Sequence, residues 1–489
     1  MAKVAPYQVF EPEDVVGLVT EDMLGHRYMT EPQWASKVAT MIHAVNKGIT
    51  MYSYISKFPT LYLESDDKFK WTLISNAKKN VPLIKASLTS NGSAVSATDK
   101  VGVDYSEFYL TFPEPWFSDV NLIVGERNEL YPIRILDDPR EIGGMWEYRC
   151  QLNLPSRDSF IPYEELQRGK RFSKDFSPVE RTLSSKGGKH RSNFPFEMQN
   201  WFTQIRMERQ MPGNMLDRPL RIAFQAVDTE GNKKTFSTWF AYDSYNFEME
   251  YQDEKAKMFY YSTMNMLSNG VSPFKGKSGH VLQTGAGLRQ QIKSSNDWSY
   301  NIFDIEELTA LMLDMSVGKI PTAQRAVALS TGEYGLVQFS KNIENYSTLY
   351  TPNRNESRIY GSGSNMGYQG QFMEFKGPNG IEFSAIHDAL KDDIERNKIP
   401  MPGKRGLAES YVYDIMNLYK SDGGYNIQKV EKKNGGESSG YIDGLRSPFK
   451  KDGGVMSTPI DGWEEHRMFI GGAIVFDPTT CGVYSPQID

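Results

Sequence analysis

The sequence predicts an α+β protein, on three observations. From about residue 50 to 240 the apolar residues fall in short runs rich in β-branched and aromatic side chains, broken by Pro, Gly, Asn and Asp. From residue 247 the spacing changes to the 3.6-residue period of helices. The last 70 residues are Gly-rich with strand-like runs between the glycines. Strands first and helices concentrated later is the α+β pattern. A chain of 489 residues exceeds the ~100–200 of an ordinary domain, so two or three structural units are expected.

Residues 1–36 are acidic and hold no sustained period: Lys3 and Arg27 stand against Glu11, Glu13, Asp14, Glu21, Asp22 and Glu31, a net of −4, which reads as an extended arm. A helix follows, with Thr30 and Gln33 as a capping box, Pro32 in its first turn, and Trp34, Val38, Met41, Ile42 and Val45 on one face; Gly48 stops it. Phe69–Ser75, Val81–Ala86, Val120–Val124, Tyr131–Leu136 and Leu220–Val227 read as strands. Asp228-Thr-Glu-Gly231 reads as the turn of a hairpin from Leu220–Val227 to Lys234–Phe240. Between these strands, residues 166–193 carry Arg168, Lys170, Arg171, Lys174, Arg181, Lys186, Lys189 and Arg191 against Asp175 and Glu180, a net of +6. The opposite signs of this segment and the arm suggest pairing between neighbouring chains.

Further on, Tyr251, Lys255, Met258, Phe259, Ser262 and Met266 share a helical face that Asn269-Gly270 ends. Asp304 with Glu307 opens a second helix, buried through Ile305, Leu308, Leu311, Met312 and Met315. Val327–Leu329 reads as a buried strand, and Ser330-x-x-Glu333 caps a helix carrying Leu336, Phe339 and Ile343. Ile386, Leu390 and Ile394 mark one more helix, and Tyr425–Val430 and Met468–Phe476 read as strands.

Apolar residues make up 39% and charged ones 24%, which excludes a disordered or collagen-like chain. A net charge of −6 gives no global attraction for nucleic-acid phosphates. Cys150 and Cys481 cannot make a disulfide framework, so a reducing place of synthesis is expected. Met1–Phe10 lacks the apolar stretch of a signal peptide, and no run approaches the ~20 residues of a membrane span. The six histidines are scattered singly, with no H-x-x-x-H or H-E-x-x-H spacing. There is no G-x-S-x-G elbow. Gly285-Ala-Gly287 lacks the third glycine of a dinucleotide loop, and Gly361-Ser-Gly363-Ser-Asn-Met-Gly367 has no G-K-[ST]. Asp66-Asp67, Asp137-Asp138 and Asp392-Asp393 are adjacent pairs that point apart in most turns. No catalytic residue, metal ligand or cofactor-binding residue is assigned, and an enzyme is not expected.

The order of elements resembles the major capsid proteins of tailed bacteriophages, built on the Hong Kong 97 capsid fold. Residues 245–345 carry the resemblance. Phe247–Leu267, ahead of Asn269-Gly270, is similar to that family's spine helix; Gly279-His-Val-Leu-Gln-Thr-Gly285 is similar to the segment entering the axial domain. Asn301–Asp314 is similar to the first axial helix, and Arg325–Gly335 to the strand and helix start after it. The resemblance is nearer still to the major capsid proteins of crAss-like phages, through Val317-Gly-Lys-Ile-Pro321, Thr331-Gly-Glu-Tyr334, the Tyr7–Glu31 region, Trp463-Glu-Glu-His-Arg-Met468 and Phe476-Asp-Pro478. The stretch 50–240 exceeds a minimal extended loop, which implies an insertion.

The resemblance implies an arm and first helix over 1–48, an extended loop with insertion plus peripheral-domain strands over 49–245, a spine helix at about 246–270 with its connection to 300, an axial domain over 301–420, and return strands over 421–489. It implies self-assembly into hexamers and pentamers of an icosahedral shell enclosing double-stranded DNA, with portal and decoration proteins as further partners, no cofactor and no membrane. The resemblance further implies a place in the virion capsid, with assembly in the host cytoplasm. Inter-subunit contact is expected at Glu11, Glu13, Asp14, Arg168, Lys170, Arg171, Lys174, Lys186, Lys189 and Arg191. The alternative is a β-rich glycan-binding or polysaccharide-acting protein using exposed Trp116, Trp146 and Trp201.

Overall fold

The computed structural model describes residues 50–488 apart from 66, 75–78, 128–129, 180, 182–194, 214–215, 217–218, 228–232, 268, 346–350, 353–371, 377–380, 421 and 451–453. Of residues 217–239, 242, 323, 344–345, 351–352 and 372–376 that are described, the backbone alone is given. The arm and first helix expected over 1–48 lie outside the described residues. The chain divides into two compact units, residues 72–197 and the remainder.

The inserted unit is a small all-antiparallel sheet with its own core. Its strands pair in the order Val81–Pro82, Arg171–Lys174, Leu122–Val124, Ile133–Ile135, Met145–Leu152, Glu107–Phe112 and Lys85–Ser87. The first and last of these belong to one continuous segment. At Leu83 and Ile84 the backbone passes from Lys170 O (2.8 Å) to Thr111 O (2.9 Å), so the sheet closes on itself. Closure leaves no free edge along that segment. The split is why the predicted strand Val81–Ala86 is two short ones. Inside, Phe112 meets Phe117, Tyr148 and Phe172 at ring separations of 5.1, 5.6 and 5.8 Å, all edge-on, the geometry their quadrupoles favour. The buried Tyr148 hydroxyl accepts from Phe117 N (3.1 Å) and donates to Phe117 O (3.2 Å), so its polar tip is satisfied within the apolar core.

The larger unit contains two sheets and the five α-helices of the described residues. These are α1 (Met51–Ile55), α2 (Trp239–Tyr261), α3 (Leu288–Lys293), α4 (Ile305–Ser316) and α5 (Glu333–Asn345). In one sheet, the long strand Gly462–Val475 runs antiparallel to Thr203–Pro212 on one side. On the other side it takes Glu437–Asp443 and then Ile427–Lys432, beyond which Leu61–Leu63 adds in parallel. The second sheet has seven strands in the order Asp297–Tyr300, Cys481–Pro486, Tyr413–Asn417, Ala326–Thr331, Glu382–His387, Phe372–Lys376 and Thr351–Pro352. Its central strand is buried on both faces, which explains the unbroken apolar run Val327–Leu329. Val327, Leu329, Phe383 and Ile415 face α4 and α5; Ala328, Ile386 and Met416 face the core shared by α1, α2 and α3. The hairpin forms from Pro219–Val227 and Lys233–Thr238.

Four expectations are corrected. The spine-like helix is Trp239–Tyr261 and not 246–270. After Ser262 N bonds Met258 O, Ser262 O accepts from Gly287 N (2.7 Å) and Ser262 Oγ donates to Gly285 O (2.7 Å), and Asn265 N donates to Thr284 O (3.2 Å). These cross-chain bonds replace the next helical ones. Ser330 does not cap α5: it lies buried in the strand Ala326–Thr331, and the first helical N–H groups are met by Asp392 Oδ2 on Glu333 N (2.8 Å) and Ser410 Oγ on Tyr334 N (3.1 Å). Ile386, Leu390 and Ile394 do not share a helix. Ile386 lies in the strand Glu382–His387 and Leu390 sits in a 3-10 turn opened by Asp388, whose carboxylate accepts from Leu390 N (3.1 Å). Finally, ten of the twenty-four strands of the described residues follow residue 247, so the α+β class stands but not its strict segregation.

Candidate assembly site

The feature that organises the larger unit is the fixation of α2 between its two sheets. Toward the five-stranded sheet, Tyr251 and Met258 pack on Phe469, Ile205 and Met207. Alternation along Thr203–Pro212 and Gly462–Val475 puts Arg209, Glu465 and Arg467 on this same helix-facing side. Arg209 binds Asp243 (2.8 Å) and Glu465 (2.6 Å), and its guanidinium lies 4.9 Å from the ring centres of both Phe247 and Trp463. Arg467 binds Glu465 (2.7 Å) and Glu248. Burial raises the Asp243 carboxyl, against the pull of Arg209. Burial would raise Glu248 as well, but hydrogen bonds from Gln252 and Arg467 outweigh it and hold the group below its ordinary value. Lys255, buried, reaches Glu437 at 3.3 Å and lies 4.7 Å from the Tyr251 ring.

The C-terminal half of α2 is fixed to the other sheet. Lys257 bonds Asp253 (2.7 Å), Glu395 (2.6 Å) and Asp393 (3.2 Å). Burial would lower its pKa, but these three carboxylates hold it above the ordinary value. The same trio is spaced closely enough to ligate a metal ion, but the ammonium already supplies the cation there. Tyr260 donates to Asp414, and the fully buried Lys391 bonds Asp414 (2.8 Å), Ser330 O (3.0 Å) and Val412 O (2.9 Å). All three ammonium protons thus have acceptors, the condition for keeping a charge in the interior. Tyr261 and Arg289 of α3 converge on Glu409. Several of these residues were named in the sequence, Tyr251, Lys255 and Met258 on one helical face, but their pairings were not, because the partners lie up to 256 positions apart.

The contact residues expected from charge are only partly visible. Glu11, Glu13, Asp14, Lys186, Lys189 and Arg191 lie outside the described residues. Arg168, Arg171 and Lys174 are exposed on the inserted unit, at and beside the strand Arg171–Lys174. Lys170 is engaged by Glu126 at 2.5 Å, which raises the lysine pKa and lowers that of the carboxylate.

The other chemical candidates resolve into packing. His387, Asp392 and Ser410 meet, but the carboxylate stands in the middle: His387 Nε2 is 2.7 Å from Asp392 Oδ2 and Ser410 Oγ donates to Asp392 Oδ1 at 2.5 Å. The imidazole is no base for that serine, and the trio caps α5. Asp392 and Asp393 point apart, one to α5 and one to Lys257. Gly285 and Gly287 are needed for close approach: a Cβ would meet Trp201 O at 1.9 Å and Ser262 N at 2.7 Å. Gly361–Gly367 lies outside the described residues. Both cysteines are buried and their thiol pKa values pushed up by burial, Cys481 to about 12. A tryptophan glycan platform is not formed: Trp201 is 3% exposed, and Trp116 and Trp146 pack against the core of the inserted unit. No helix is long and apolar enough among the described residues to cross a membrane.

The family model described as Crassvirus major capsid protein matches residues 2–489. The major capsid protein of Bacteroides phage crAss001 is 34% identical over 504 residues, covering 99% of each chain. Among solved structures, those of Mycobacterium phage Bobi (8% identity, 94% of this chain and 99% of that one, TM-score 0.36) and of the capsid of Cyanophage P-SCSP1u (10%, 94% and 94%, TM-score 0.33) are similar. With the family model spanning the chain and the crAss001 protein matching it end to end, this chain belongs to the major capsid proteins of crAss-like phages.

Proposed function

We propose that the chain tiles the icosahedral head of a tailed phage in the Hong Kong 97 manner, as hexamers and pentamers around double-stranded DNA, with portal and decoration proteins joining the shell. The observation that supports this best is α2, a rod held by charges to two sheets in one unit, while residues 72–197 leave and return as a separate unit with its own core. In this reading α2 is the spine helix, residues 1–48 are the arm, and the inserted unit is the insertion within the extended loop of 49–245. The axial domain, 301–420, supplies α4, α5 and the middle of the seven-stranded sheet, and 421–489 returns through the five-stranded sheet before its last strand, Cys481–Pro486, joins the seven-stranded one. Assembly takes place in the host cytoplasm. Closed shells of one chain need heterologous, repeated contacts.

The acidic arm residues Glu11, Glu13 and Asp14 then meet the basic segment of a neighbour, of which Arg168, Arg171 and Lys174 are exposed without an ion-pair partner among the described residues. Lys170 contributes little, because Glu126 already neutralises it. Negative-stain imaging of the expressed protein tests the shell: sheets, tubes, rings or uniform shells are expected, and a persistent monomer in crowded, low-salt solution refutes it. Reversing Arg168, Arg171 and Lys174 to Glu should weaken assembly at unchanged monomer stability; normal particles refute the arm contact.

A further inference from the structure

One carboxylate joins four parts of the larger unit. Asp392 closes the 3-10 turn Ala389–Asp392 and bonds to the end of the strand Glu382–His387, to the segment Ala408–Tyr411 and to the N-terminus of α5. Its Oδ2 accepts from Glu333 N (2.8 Å) and meets His387 Nε2 at 2.7 Å, and its Oδ1 accepts from Ser410 Oγ (2.5 Å). Ser410 extends the contact: its Oγ accepts from Tyr334 N (3.1 Å), and its carbonyl accepts from Gly332 N (3.1 Å) and Thr331 Oγ1 (3.2 Å). The first N–H groups of α5 therefore depend on this one anion. The hairpin 399–408 rests on the same end of the helix. Its backbone is closed by Met401 N to Gly406 O (3.0 Å) and Ala408 N to Ile399 O (2.8 Å). The Tyr334 ring lies so near Gly406 that a Cβ there would stand 2.5 Å from it, and Lys404 Nζ donates to Gln338 Oε1 (2.6 Å).

His387 supplies the positive charge at this junction. Three carboxylates face its imidazole: Asp392 and Asp388 from the turn that follows it, and Glu333 from α5. Lys391 of the same turn is held by Asp414, and Glu409 of the segment Ala408–Tyr411 is held by Arg289 and Tyr261. On the flanking strands Thr331 stands opposite His387, while Glu374 and Lys376 stand opposite Ser384 and Glu382, away from it. Burial works against the imidazolium, but the bond to Asp392 and the three negative charges outweigh it and raise the ring above its ordinary 6.5. Burial would likewise raise Asp392, but its bonds from His387, Ser410 and Glu333 N hold it below 3.8. A base raised by folding stabilises the structure fully below its unfolded value and loses that contribution as pH rises through its folded one. We propose that the proton on His387 latches the N-terminus of α5. With the proton in place, Asp392 is held between an imidazolium and the helix. Without it, Asp392, Asp388 and Glu333 face one another with no cation between them, and the first turn of α5 loosens together with the hairpin 399–408. The latch works within one copy and stands apart from the shell reading. It governs the exposed face formed by Tyr334, Val337, Lys404 and Arg405.

The test uses the full chain. Histidine C2-hydrogen exchange read by mass spectrometry titrates His387 within its own peptide; a midpoint above 6.5 is expected, and one at or below 6.5 overturns the latch. Amide exchange, corrected for its intrinsic rise with pH, should show residues 332–338 losing protection roughly tenfold between about pH 6 and 9, with the hairpin 399–408 following. The helix α4, capped by Asp304, should keep its protection over that range. Unchanged protection of α5, or an equal loss in α4, refutes the proposal. His387→Gln keeps a donor toward Asp392 without the charge, so α5 should exchange at the same fast corrected rate at both pH values. A pH-dependent loss that survives in this variant belongs to another group and refutes the latch. Should His387→Gln not fold, the two wild-type measurements decide by themselves, since a structural contact without a titrating proton would move neither.

Discussion

Asp388 should make the subunit more stable as the pH falls from 7 to 5, opposite to the usual behaviour of a paired carboxylate. The residue is fully buried between α1 and the 3-10 turn Ala389–Asp392. Its Oδ1 accepts from Leu390 N (3.1 Å) and Met51 N (3.4 Å), while Oδ2 has no hydrogen-bond partner. Burial drives its pKa from 3.8 to about 6; Lys391 and the Leu390 and Met51 N–H groups oppose this, Asp414 reinforces it, and Tyr260, Tyr261 and His387 also face it. The change corresponds to about 3 kcal/mol between the two protonation states. Between about pH 4 and 6 the folded chain holds a proton that the unfolded chain releases. The unfolded state therefore binds fewer protons there, and unfolding free energy falls as pH rises through the folded pKa. From pH 7 to 5 this one group adds about 1 kcal/mol of stability. In Asp388→Asn the group is gone and the amide keeps an oxygen for Leu390 N. Urea unfolding of dissociated subunits at both pH values should show the wild type gaining about 1 kcal/mol relative to the variant. Comparing the two cancels every other titrating group. Parallel pH dependences would refute the claim that Asp388 is a strained, uncompensated carboxyl.

Lys391→Met should cost about 3–5 kcal/mol, because it strands Asp414 as a buried unpaired charge; adding Asp414→Leu should recover part of that, measured by the same unfolding titration. Gly285→Ala drives a Cβ to 1.9 Å from Trp201 O, so soluble expression should drop sharply, whereas Gly144→Ala, where a Cβ meets nothing within 4 Å, should lose only about 1–2 kcal/mol from its positive φ. Phe112→Ala should open a cavity costing about 3–5 kcal/mol in the inserted unit alone, seen in calorimetry as one lowered transition beside an unmoved one.

The sequence made legible those elements whose signals are local. Asp304 does cap α4, with Ile305, Leu308, Met312 and Met315 buried behind it, because a cap and a 3.6-residue stripe need no distant information. The hairpin across 228–231 was legible for the same reason. The bounds of α2 were not. Its sides face two different sheets, several of its inward residues are charged, and so no single apolar stripe marks it. Its end is set by hydrogen bonds to 284–287, more than twenty positions on, which no window of periodicity contains. Ile386 and Leu390 mimic helical spacing by coincidence of a strand followed by a turn. The inserted unit was anticipated from length, but its closure depends on one segment changing partners at Leu83–Ile84, a tertiary event.

The fixation of α2 by charge has a mechanical consequence. A helix held by an apolar stripe can shift one turn, about 5.4 Å, and exchange one set of contacts for another of similar worth. Such a shift here would separate Arg209 from Asp243, Arg467 from Glu248, Lys255 from Glu437, Lys257 from Asp393, and Tyr260 from Asp414 at the same moment. Buried charges without partners cost several kcal/mol each, and the carboxylates on the sheet strands cannot follow the helix. Apolar residues in these positions would give comparable or greater stability but a shallower positional minimum. In a subunit that must present the same surfaces to several neighbours, that depth matters more than net stability, because an error of a few ångström in the rod carries over to every contact its two sheets support.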